Sequence, residues 1–160
     1  MADRSYPGAL ATPAQVQALA DEYRKATRVL LELGRRGAPL TYAPFRLTAI
    51  HAVELYLNAF LLRGGHAPGE IRRLQHDLWA RAELALAGGL QLRKRTSAHL
   101  RSLNAKREYL ASRYGPELAA TMSQINRLGA TLEEVATKTT KAGAIPSANP
   151  VTSEGRPRGR

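Results

Sequence analysis

The sequence predicts an all-α protein, a bundle of about five helices with flexible ends, and three observations point there. Apolar residues recur at steps of three and four, no stretch alternates apolar and polar over strand length, and β-branched residues are scattered. From Ala49 to Leu62 nearly every position is apolar, His51, Glu54 and Asn58 excepted, as in a helix enclosed on most sides. Proline and glycine fall where helices should start and stop.

Each element has its own signals. Thr12-Pro13-Ala14-Gln15 reads as an N-cap, an N1 proline and the glutamine of a capping box. The helix it opens is expected to bury Val16, Leu19, Tyr23, Ala26, Leu30 and Leu33, and to end at Gly34 in a left-handed cap. The second helix opens near Tyr42-Pro44 and stops at Gly64-Gly65. It falls short of the ~20 consecutive apolar residues of a bilayer span and carries Glu54 mid-run, so no membrane is expected. Pro68 opens a short helix through Leu74, and Asp77 caps LWARAELALA, which Gly88-Gly89 ends. A fourth helix is expected from about Leu92 to Tyr114. Pro116 opens a fifth, with Leu118, Met122, Ile125, Leu128 or Gly129, Leu132 and Val135 inward, closed by Gly143 and Pro146. The domain is thus read as residues 12–141, with 1–11 and 142–160, rich in Ala, Pro, Gly and Ser, as flexible tails.

Composition narrows the function. A chain of 160 residues is one domain able to bury a core, and without Cys it has no disulfide or Cys-ligated zinc. That fits a reducing cytoplasm, and MADRSYPGAL has no apolar run of the signal-peptide kind, so the expected location is cytoplasmic. Against 13 Asp and Glu stand 24 Lys and Arg, a formal charge of +11 that favours a polyanionic partner. No cofactor motif is present; His51, His76 and an acid are the nearest approach to a metal set, without ligand spacing, so neither cofactor nor metal is expected.

Three segments in order, HAVELYLNAFLLRGG (51–65), RRLQHDL (72–78) and LNAKREYLASRYG (103–115), resemble the pattern of the HEPN family of small helical domains. The resemblance covers roughly residues 40–140 and rests on an E-x3-(K/N)-A helix, an H-D-L helix start and a late R-Y. Members often carry Lys where this chain has Asn58, which removes a charge from the stripe. The resemblance implies a four-to-five-helix bundle, commonly dimeric. Some members are metal-independent ribonucleases using an Arg and a His four to six residues apart; others lack that pair and bind or regulate. Many sit in toxin–antitoxin or phage-defence systems.

The residues themselves offer several constellations. Arg93 and His99, separated by five residues, are the candidate catalytic pair, since RNA cleavage by its 2′-hydroxyl needs a proton-transfer group near neutrality and a fixed cation. Their bland reading has His99 packed on Leu92, Leu103 and Leu110; Arg46 and His51, in the central helix, read as structural. His51, Glu54 and Asn58 form a polar stripe, with Arg113 the expected buried partner of Glu54; the alternative is that the stripe lines a small-ligand cleft. Arg93, Lys94, Arg95, Arg101, Lys106 and Arg107 are the expected nucleic-acid contacts, with Tyr109 or Tyr114 available to stack a base. The terminal Gly155-Arg156-Pro157-Arg158-Gly159-Arg160 resembles an AT-hook core, although a solubilising tail explains it more simply. The reading is a cytoplasmic, homodimeric, HEPN-like accessory module for nucleic acid, RNA before DNA, or for an acidic partner protein. Its rivals are a ribonuclease using Arg93 and His99, and a purely structural or regulatory dimerising subunit.

Overall fold

The computed structural model describes residues 5–144. Seven α-helices and two 3-10 turns make up the fold among these residues: α1 (Pro13–Glu32), a turn (Pro39–Tyr42), α2 (Ala43–Arg63), α3 (Pro68–Arg73), α4 (Leu78–Ala87), α5 (Lys94–Ala105), α6 (Glu108–Tyr114), a second turn (Pro116–Thr121) and α7 (Ile125–Gly143). The protein is all-α, as its periodicity requires. Helix α2 is the centre: α1, α4, α6 and α7 all pack on it. Its Ile50, Val53, Tyr56, Leu57 and Leu61 meet Leu78 and Ala82 of α4, Leu100 and Leu103 of α5, and Leu128, Leu132 and Val135 of α7. With the turn before it, Pro39–Arg63 is long and apolar enough to cross a membrane by length and composition, yet over half of its most apolar window is buried in the bundle.

Helix α1 starts as expected, with the Thr12–Gln15 capping box in place, but of its expected buried face only Val16 and Leu30 are half-buried, and the rest is turned outward. Ala20 and Thr27 are sealed against the bundle, while Leu19 is 48% exposed, Tyr23 37% and Leu33 64%. Polar bonds decide the rotation: Gln17 accepts from Arg63, Asp21 accepts from the Tyr56 hydroxyl, and Arg24 donates to Glu133 of α7. Small residues at 20 and 27 let the two backbones approach. Gly34 is not left-handed; a side chain there would run into the ring of Tyr42, which is the reason for glycine.

The expected fourth helix is broken in two. Arg107 takes a left-handed conformation (φ 51°) between α5 and α6, and the turn brings Glu108 into the interior beneath Arg46. A straight helix would carry that carboxylate past its partners. Glu108 accepts from the Ser123 backbone N–H at 2.8 Å and from its hydroxyl at 2.9 Å. That clamp holds the chain out of helical conformation just before Ile125, so the expected fifth helix is a 3-10 turn followed by α7. Leu118 is exposed in consequence, whereas Leu128, Leu132 and Val135 are buried as the periodicity predicts.

Of the expected N-terminal tail, residues 5–10 are described: Pro7–Leu10 form turns, Tyr6 and Leu10 are exposed, and the Arg72 guanidinium lies 4.5 Å from the Tyr6 ring centre. At the other end α7 continues to Gly143; the rest of the expected tail, with its Arg-Gly-Arg run, lies outside the described residues.

Candidate functional site

The polar stripe of α2 is the origin of the site. Its residues recur at helical spacing, so one face of the helix carries them towards α3, α4 and the N-terminal segment. Glu54 Oε1 lies 3.4 Å from Arg81 Nη2, and its Oε2 lies 3.2 Å from His76 Nδ1. Arg81 Nε donates to Asn58 Oδ1 at 2.7 Å. The remaining guanidinium protons reach the carbonyls of Ile71 (3.3 Å), Asp77 (3.2 Å) and Leu74 (3.5 Å). Arg81 thus neutralises Glu54 and closes the end of α3 at once. Burial lowers its pKa while the carboxylate pulls the other way.

Arg113, the expected partner of Glu54, is instead exposed on α6. Arg81 went unmarked because LWARAELALA reads as an apolar helix; one arginine inside such a run was the available signal. His51 is partly buried, edge-on to Tyr23 with ring centres 4.6 Å apart. Burial lowers its pKa, leaving the ring neutral near pH 7. His76 packs against the Tyr109 ring at 4.9 Å.

Two clefts meet at this cluster. The larger, of about 1050 Å³, lies between the N-terminal segment, α1, α2 and α3; Val16, Leu55, Leu62 and Ile71 wall it, and His51, Glu54 and Asn58 line its floor. The smaller, of about 520 Å³, is polar and is lined by Arg73, Gln75, His76, Asn104, Arg107 and Tyr109. Gln75 (φ 49°) and Arg107 (φ 51°) are the two non-glycine residues with positive φ among the described residues, and both line this cleft. Such conformations cost energy and persist where the surroundings impose them, often at functional sites.

The basic residues form the surface beside it. Arg93, Lys94, Arg95, Arg101, Lys106 and Arg107 are all exposed, with no Asp or Glu from 93 to 107. Arg101 lies over the Trp79 ring at 4.4 Å, which steadies its charge in place. Arg107 belongs to both the basic surface and the polar cleft.

Arg93 and His99 do not form a site. Arg93 is the exposed N-cap of α5, whereas His99 is fully buried with Thr96, Leu100 and Leu103. Its Nδ1 lies 2.7 Å from Thr131 Oγ1, and Nε2 is buried without a partner among the described residues. Burial first, then Arg127, Arg46 and Lys106, push its pKa down to about 4. The spacing that suggested a pair sends one residue to solvent and the other to the core. Arg46 is structural: buried, it donates to the Ser123 carbonyl at 2.6 Å. The metal set of His51, His76 and an acid does not assemble, and no group of three or more His, Asp or Glu among the described residues is placed to hold an ion.

Compared with protein-family models, curated proteins and solved structures, the chain finds no match.

Proposed function

We propose that the protein is a helical nucleic-acid-binding module, cytoplasmic and homodimeric, with RNA ahead of DNA as its ligand. More narrowly, it is an accessory module of the HEPN-like kind, in a toxin–antitoxin or defence setting. The observation that carries the reading is the acid-free run from 93 to 107, exposed at all six cations and ending in a polar cleft beside Tyr109. Exposed cations attract a phosphate chain by releasing its counterions; Glu134 of α7 places one carboxylate at the start of the run, on the Arg93 N–H at 2.8 Å, and an aromatic ring at the other end offers a base a stacking surface. The exposed Tyr23 of α1 and Leu33 just beyond its end give a second copy an apolar surface to cover.

The test is retention of labelled RNA across a salt series. Affinity should fall steeply with salt, and the triple variant Lys94→Glu/Arg95→Glu/Arg101→Glu should lose at least tenfold. Retention indifferent to both would transfer the function to a protein partner.

A second reading has its own observation. Glu54 engages His76 Nδ1, which leaves Nε2 to exchange a proton beside Arg73 and Arg107, cations suited to a phosphate. Metal-independent RNA cleavage, if present, then belongs to His76 rather than to His99. Cleavage that survives EDTA and disappears in His76→Ala supports it; intact RNA throughout removes it.

A further inference from the structure

The larger cleft has no part in binding a phosphate chain, and its chemistry points elsewhere. It follows α2 from His51 to Leu62, a run of ~16 Å at the helical rise. Its walls are mostly aliphatic, Val16, Leu19, Leu55, Leu62 and Ile71 among them, and the described N-terminal segment closes one side. A volume of about 1050 Å³ is at the upper end of ordinary ligand cavities, which combine apolar walls with a few convergent polar groups.

Those polar groups are specific. Asn58 spends its carbonyl on Arg81, and its amide nitrogen makes no hydrogen bond to another described residue, so two donors are free. Glu54, one turn away, keeps acceptor capacity beyond Arg81 and His76. His51 makes no hydrogen bond to another described residue and is uncharged near pH 7. Two cations of the lining are engaged, Arg81 by five partners and His76 by Glu54, while the exposed Arg72 lies over the Tyr6 ring and keeps its charge. An anionic head placed against Asn58 would meet the Glu54 carboxylate one turn away, where Arg81 is already engaged.

We infer that this cleft binds an uncharged amphipathic small molecule, an aliphatic chain of about ten carbons carrying a primary-amide-type head. The chain lies along Leu55 and Leu62, while the head's carbonyl accepts from the Asn58 amide and its N–H donates to Glu54. A carboxylate head offers no proton to Glu54 and repels it, so charge, more than length, sets the specificity. The cleft shares Gln75 and His76 with the polar one, but its aliphatic walls call for a different ligand chemistry.

The full-length protein is titrated with Nile red, an uncharged dye whose emission moves to the blue on leaving water, and the dye is then displaced with decanamide or decanoate at pH 7.5. Saturable emission with one dye per chain is expected, with decanamide displacing it at a concentration at least tenfold below decanoate. Leu19→Trp, which narrows the cleft from an exposed position, and Val16→Arg, which puts a charge in its wall, should each weaken dye binding at least tenfold, circular dichroism showing the helices intact. Absence of saturable emission, or binding that both variants leave unchanged, overturns the site. Decanoate competing as well as decanamide overturns the uncharged head.

Discussion

Arg81 and Glu54 face each other at 3.4 Å inside the bundle, the Arg81 side chain 2% exposed and that of Glu54 12%. Burying two opposite charges costs desolvation that their attraction and the guanidinium's further hydrogen bonds must offset. Here the offset comes from Asn58 and three carbonyls at the α3–α4 junction, so the pair also sets where α3 ends.

Removing one partner should therefore cost far more than removing both. Arg81→Leu should destabilise the fold by about 3–5 kcal/mol, and Glu54→Ala by about 3 kcal/mol, in urea denaturation. The double variant Glu54→Leu/Arg81→Leu should recover a large part of that loss. A change below about 0.5 kcal/mol for Glu54→Ala would mean that water reaches the carboxylate freely.

Stability should fall as pH drops below neutrality, through His99. Its pKa is held at about 4 in the fold against 6.5 for the ordinary group. The unfolded chain therefore binds more protons between those values, and the stability present above pH 6.5 is lost on the way down to pH 4. The loss between pH 7.5 and 5 should be about 2 kcal/mol from this group alone, and His51, whose pKa is also lowered by burial, adds in the same sense. In His99→Gln the slope should flatten; an unchanged slope would assign the effect to other groups.

On α1 the buried and apolar faces differ, and substitutions should separate them. Ala20→Leu, at a fully buried position, should cost about 1–3 kcal/mol by forcing α1 off α2. Leu33→Ser should stay within about 0.5 kcal/mol in dilute protein. If two copies cover the exposed apolar residues of this helix, the parent protein's unfolding midpoint rises with concentration, and Leu33→Ser removes that dependence.

Gly34 and Tyr42 should be energetically coupled. Gly34→Ala places a methyl group into the Tyr42 ring and should cost about 1–3 kcal/mol. Tyr42→Leu in the same chain should relieve most of it. Additive effects would show that the ring moves aside at no cost.

Much of the fold was legible because helices announce themselves locally. The Thr12 capping box, the Asp77 cap and the apolar density around Glu54 are properties of neighbouring residues, and each appears where expected. The candidate site was half legible. His51, Glu54 and Asn58 do share one face of α2, but their partners His76 and Arg81 come from separate elements, and no spacing in the sequence pairs them. The tryptophan beneath Arg101 is likewise a neighbour only in space.

By itself the sequence determined the helical class, the central position of α2, the basic exposed run and most helix starts, because periodicity, capping and charge act between residues a few positions apart. Only the tertiary structure decided which face of α1 turns inward, where the chain breaks at Arg107, that Arg81 answers Glu54, and that His99 is sealed away from Arg93. Each of those outcomes is a competition between buried polar groups for partners far along the chain. Such a competition is settled when the helices meet, since the cost of an unpaired buried charge exceeds what any local preference can supply.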